Sequence, residues 1–94
     1  MDVLETKMAQ LRLAIKRSED VQNSQNEDAI ERHGTIIKSI IAECMNAKIN
    51  QEATKIAAKE DPEAIDEWSR KIEKLIEEAD AVVKTLKLIL EGYH

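Results

Sequence analysis

Between Pro62 and Glu91 apolar residues recur at alternating steps of three and four: Ile65, Trp68, Ile72, Leu75, Ala79, Val82, Leu86 and Ile89. That spacing holds one stripe of an α-helix toward one side for its whole length. A stripe so long has to be covered by other helices, so an all-α bundle is expected. The punctuation agrees: two Gly and one Pro in 94 residues leave little material for turns. With no Phe, and Trp68 and Tyr93 as the sole aromatics, the core must be aliphatic.

The helix on this stripe has a sharp predicted start. Asp61 is a favoured N-cap, Pro62 fits the first helical position, and Glu63, Asp66 and Glu67 complement the positive end of the helix dipole. Gly92 is expected to stop the helix in a left-handed cap. Two further helices precede it. The first, about residues 2–22, carries Leu4, Met8, Leu11 and Ile15, weakly continued by Ser18, with Val3, Leu13 and Ala14 at its margins. Ser24 followed by Glu27 matches a capping box for the second, about residues 25–60. His33-Gly34-Thr35 and Asn46–Asn50 are two places where the second helix could break and restart, and one continuous helix is the favoured reading.

The whole chain, residues 1–94, is thus predicted to be one antiparallel three-helix bundle, with one short and two long helices. Short connections make successive helices antiparallel. The first helix then covers only part of the other two, which protrude as a helical hairpin over about residues 49–72. Paired isoleucines (Ile36/Ile37, Ile40/Ile41) in the half expected to be covered, and Ile49, Ala53, Ile56 and Ala57 beyond it, fit this taper.

The taper supplies the candidate functional surface. Ile49, Ile56, Ile65, Trp68 and Ile72 form the seam of the uncovered hairpin, and Trp68 is read either as a cover over the opposing alanines or as the centre of a contact with another chain. Acids crowd the same region. Glu63, Asp66, Glu67, Glu73 and Glu77 are read as a solvated face, with pairs such as Asp66–Arg70 and Glu67–Lys71, or as a docking face for a basic segment of a protein partner. Two non-catalytic functions follow: an adaptor or scaffold module that binds a protein partner, and an assembly unit that pairs its hairpin with a second copy as a homodimer.

Other classes find little support in the residues. A net charge of −5 argues against nucleic acid as a partner. No apolar run is long enough for a membrane span, and Met1 to Glu5 resemble neither a secretory nor a transit signal. Single Cys44 permits no internal disulfide, so a reducing, cytoplasmic setting is expected, and its apolar neighbours suggest an inert thiol. His33 is read as a satisfied or exposed side chain, and Glu91-Gly92-Tyr93-His94 as a chance match to a di-iron spacing across a helix end. No catalytic, metal or cofactor constellation is expected.

The stretch Arg70-Lys71-Ile72-Glu73-Lys74-Leu75-Ile76-Glu77-Glu78-Ala79-Asp80 resembles the last helix of BAG domains, three-helix co-chaperone modules that bind the nucleotide-binding domain of a heat-shock chaperone. The resemblance implies charged contacts on the last two helices. It departs where that family carries a basic pair, a position occupied here by Ile65 and Asp66.

Overall fold

Each helix begins where a short acid or amide side chain can accept from a free backbone N–H. In the computed structural model, which describes residues 2–93, Asp2 accepts from the Glu5 amide at 2.8 Å and opens α1 (Val3–Asn23). Asn26 accepts from Ala29 at 3.1 Å and opens α2 (Glu27–Ala57). Asp61 accepts from Glu63 at 3.4 Å and, with Pro62 in the first turn, opens α3 (Pro62–Glu91). The bounds of α3 match those expected; α2 is shorter than expected by two residues at its start and three at its end.

The capping box at Ser24 is not formed. Ser24 instead ends α1: its hydroxyl donates to the Val21 carbonyl at 2.6 Å and accepts from the Asn26 amide at 3.3 Å. It therefore relays a bond that a C-terminal cap usually makes directly, and Asn26 takes over the N-cap of α2. The α2–α3 turn closes directly, with Lys59 N–H on the Ile56 carbonyl at 3.0 Å and Glu60 N–H on that of Lys55 at 3.1 Å. This is a Schellman closure with Lys59 at φ 58°, where glycine is usual. The other expected cap fails differently. Gly92 sits at φ −68° in the right-handed region, and α3 ends in a tightened turn with Tyr93 N–H on the Leu90 carbonyl at 3.1 Å.

All three helices touch one another in an antiparallel bundle. Lys7 pairs with Glu43 near the start of α1, and Ser18 meets His33 near its end. On the other side of α2, a Cβ on Gly34 would lie 3.8 Å from Leu86, while farther along Lys48 reaches Glu73. Gly34 is thus accommodated inside one continuous α2, as expected. The core is aliphatic: Leu4, Leu11 and Ala14 of α1, Ile30, Ile37, Ile41, Cys44 and Ala47 of α2, and Ile72, Leu75, Ile76, Ala79 and Leu86 of α3. Ile36 departs from the expected pairing and points outward, and Ala14, expected at the margin of α1, is buried.

Helix lengths of 21, 31 and 30 residues put the taper into the structure. At 1.5 Å per residue α1 is about 32 Å long against about 45 Å for its neighbours. Beyond Ala47 no residue of α2 is buried. The molecule extends 51 × 21 × 17 Å, and its radius of gyration is 15.5 Å; a compact chain of this length would have about 12 Å.

Three mutational outcomes are expected. Leu11→Ala, at a fully buried site, should cost about 2–5 kcal/mol in urea unfolding, whereas Ile49→Ala should cost less than about 1 kcal/mol. Lys59→Gly should raise stability by about 0.5–1 kcal/mol, because the left-handed conformation is already required there.

Candidate functional site: the groove of the uncovered hairpin

Past Ala47 the amphipathicity of α2 turns inside out. The buried stripe Ile30, Ile37, Ile41, Cys44 continues along the same helical face into Lys48 and Lys55. Lys48 lies 3.3 Å from Glu73 of α3 and 3.6 Å from Glu52, and the Lys55 ammonium stands 5.1 Å from the centre of the Trp68 ring. The isoleucines expected in the hairpin seam stand outside it: Ile49 is 58% and Ile56 61% exposed.

Two successive hollows between α2 and α3 make up a groove that takes in Lys48, Ile49 and Ile56 but neither Lys55 nor Trp68. One hollow is lined by Met45, Lys48, Ile49, Glu73, Ile76 and Glu77. The next, toward the hairpin tip, has a volume of about 520 Å³ and is lined by Glu52, Ile56, Lys59, Glu60, Pro62, Ile65, Asp66 and Ser69. On α2, residues 45, 49, 52 and 56 repeat at helical spacing; on α3, residues 66, 69, 73, 76 and 77 do the same. Each set therefore shares one face of its helix. The floor is apolar and the rim is acidic, with five carboxylates (Glu52, Glu60, Asp66, Glu73, Glu77) against the ammonium groups of Lys48 and Lys59. Lys48 is already held between Glu52 and Glu73, Glu60 pairs with Lys55 at 3.4 Å, and Asp66 pairs with Arg70 at 2.9 Å. Glu77 makes no ion pair among the described residues.

The structure divides the expected contact residues. Ile49, Ile56, Asp66, Glu73 and Glu77 line the groove, and Ile65 lies at its base, 8% exposed. Ile72, 2% exposed, is sealed in the core and offers nothing to a partner. Trp68 is half-buried against that core and lies under Lys55. Of the alanines it was expected to cover, Ala53, Ala57 and Ala58 are all exposed. Glu63 and Glu67 are exposed away from the groove, and the expected Glu67–Lys71 pair is absent among the described ion pairs. Sequence reasoning missed Met45, Lys48, Glu52, Ser69 and Ile76, and Lys59, Glu60 and Pro62 at the tip. The 45–49–52–56 spacing was a usable signal for the α2 members, because it marks a second stripe beside the core stripe.

Two further chemistry-bearing residues, His33 and Cys44, lie in the covered half. His33 Nε2 lies 3.0 Å from the Ala14 carbonyl and 2.9 Å from Ser18 Oγ, while Ser18 donates to the same carbonyl at 2.8 Å. A carbonyl only accepts, so Nε2 is the nitrogen that carries hydrogen. Cys44 is fully buried. Burial pushes its thiol pKa up, partly opposed by the positive charge of Arg12. Of the Glu-x-x-His spacing at the C-terminus, His94 lies outside the described residues. Among the described residues no three metal-ligating side chains converge, and no helix is long and apolar enough to cross a membrane.

Comparison with protein-family models, curated proteins and solved structures finds no match for the chain. Within the BAG-like stretch, Ile72, Leu75, Ile76 and Ala79 are core residues of the bundle.

The folded protein should leave Cys44 unmodified by a thiol reagent at pH 8 for as long as it stays native. Urea should release full reactivity along the unfolding transition, with labelling that tracks the loss of helical signal.

Proposed function

We propose that the chain is a non-catalytic helical module for protein–protein interaction, of the adaptor or scaffold kind. Its docking surface is the α2–α3 groove, and its occupant is a helical segment with an apolar stripe and basic flanks. The observation that carries this reading is the reversal on α2: in the uncovered hairpin the lysines face α3 while Ile49 and Ile56 face outward. Covering such a side chain fully is worth about 1.5–3 kcal/mol, a gain that bundle folding alone leaves unused. The acidic rim supports a basic occupant, because opposite charge steers encounter and fixes register. The net charge of −5 favours protein over nucleic acid as the partner. A buried lone thiol fits a reducing, cytoplasmic setting.

The surface area supports association as well. The chain exposes 6555 Å² for its 10.7 kDa, whereas a compact monomer of this mass exposes about 5,500 Å². The difference is comparable to the roughly 800 Å² that each partner buries in a standard interface. This favours a second reading, in which the role is assembly and the occupant comes from another copy. A two-fold pairing of groove on groove, however, would set acid rim against acid rim.

A fluorescent helical peptide with leucines at heptad spacing and lysine flanks is the direct probe. Saturable one-to-one binding is expected, weakening as salt rises and falling at least about tenfold in the Ile49→Ser/Ile56→Ser double variant, by the loss of two apolar contacts. Equal binding to that variant, or no binding at all, would discard the groove as a docking surface.

A further inference from the structure

We infer that the segment filling the groove is the α1–α2 edge of a second copy of this chain, joined head to tail. The inference rests on the groove being a docking surface, as proposed above; the identity of the occupant is what it adds.

The chain carries a second apolar cleft whose charge is opposite to that of the groove. Leu13 and Ile36, 46% and 47% exposed, stand on the edge where α1 packs on α2. The flanking charges there are Lys7 and Arg17 against a single acid, Glu43, and Lys7 already engages that acid. Arg17 makes no ion pair among the described residues. Counted over the residues that line each, one surface sets apolar side chains among five acids and two lysines, and the other sets them among Lys7, Arg17 and one acid. The two also match in reach. Lys7 to Arg17 spans about 15 Å of helix and Met45 to Ile56 about 16 Å, each close to three turns.

Geometry keeps the two surfaces from competing. On α2, Ile36 and Ile49 are thirteen residues apart, which at about 100° per residue places them on widely separated faces, with the buried stripe between. They also occupy different stretches of the long axis, one beside α1 and one beyond it. A helix with apolar residues on several faces belongs in the interior of something larger. In this contact the exposed ridge of α1 bearing Leu13 and Arg17 enters the acidic groove, and Ile49 and Ile56 meet the cleft beside Ile36. Because the surfaces differ, the contact is heterologous. Each copy can hold two neighbours, one on each surface, so the assembly grows past a pair into a ring or an open chain.

The test is complementation between two variants at exposed sites, Ile56→Glu, which blocks the groove, and Leu13→Glu, which blocks the edge. Circular dichroism should show unchanged helix in both. Light scattering of the parent chain should show a mass that grows with concentration beyond twice 10.7 kDa and shrinks as salt is added. Each variant alone should remain at the monomer mass. Their equimolar mixture should form a one-to-one heterodimer and stop there, because one partner keeps an intact edge and the other an intact groove.

Three results would overturn the inference. The parent chain closing as a dimer that Ile56→Glu abolishes and Leu13→Glu leaves intact would show groove-on-groove pairing. A mixture of variants that stays monomeric while the parent associates would show a different contact. A parent chain monomeric at every concentration that still binds the lysine-flanked peptide would remove the second copy and leave the docking groove standing, whereas failure of both would remove the groove as well.

Discussion

The first helix is too short for the other two, and the layout of the molecule follows from that mismatch. With 21 residues against 31 and 30, α1 can close the bundle only as far as Ala47. Over that length every helix has two neighbours, and the buried residues form one continuous aliphatic cluster. Past it each helix has one neighbour and can bury only a narrow stripe. The elongated shape, the excess surface and the groove are all consequences of this one geometric limit.

How the hairpin holds together without a third helix is a matter of charge as much as of apolar contact. Lys48 bridges α2 and α3 through Glu73, and the Lys55 ammonium stands over the Trp68 ring. Such contacts keep the two helices side by side while burying little apolar area. They also free the isoleucines of α2 from any role inside the hairpin. On α2 the isoleucines that would make an ordinary seam become surface, while α3 still buries Ile65 and half-buries Trp68 beside the charged contacts.

At the closed end the arrangement differs. Ser18 and His33 form a polar link between α1 and α2 around the Ala14 carbonyl, and no buried side-chain N or O among the described residues is left without a partner. A satisfied polar contact in an aliphatic core permits fewer alternative packings than leucine on leucine, since a slip of one turn would orphan it. With Lys7–Glu43 near the other end of α1, it fixes where α1 lies along α2, and hence where the covered half stops.

Much of this architecture was legible in the sequence, and the reason is periodicity. Asp61 and Pro62 marked the start of α3, its heptad marked its extent, and the thinning of α2 marked the taper. The caps were less legible: Ser24 and Asn26 are both good capping residues, and which serves which helix depends on where the chain turns. The candidate surface was half legible. Ile49, Ile56, Asp66, Glu73 and Glu77 were identified as exposed candidates, but Ile72 and Trp68 were grouped with them although they lie against the core. What the sequence could not decide is the rotation of α2 about its own axis in the uncovered hairpin. Periodicity says which residues share a face, and either the lysine stripe or the isoleucine stripe beside it was free to turn toward α3. The tertiary structure settles this in the covered half, where Ile30, Ile37 and Ile41 must face inward. An α-helix is stiff enough to carry that phase onward, so seven residues past Ile41 the inward position falls on Lys48, seven more brings Lys55, and the isoleucines one residue along, about 100° around the helix, face outward.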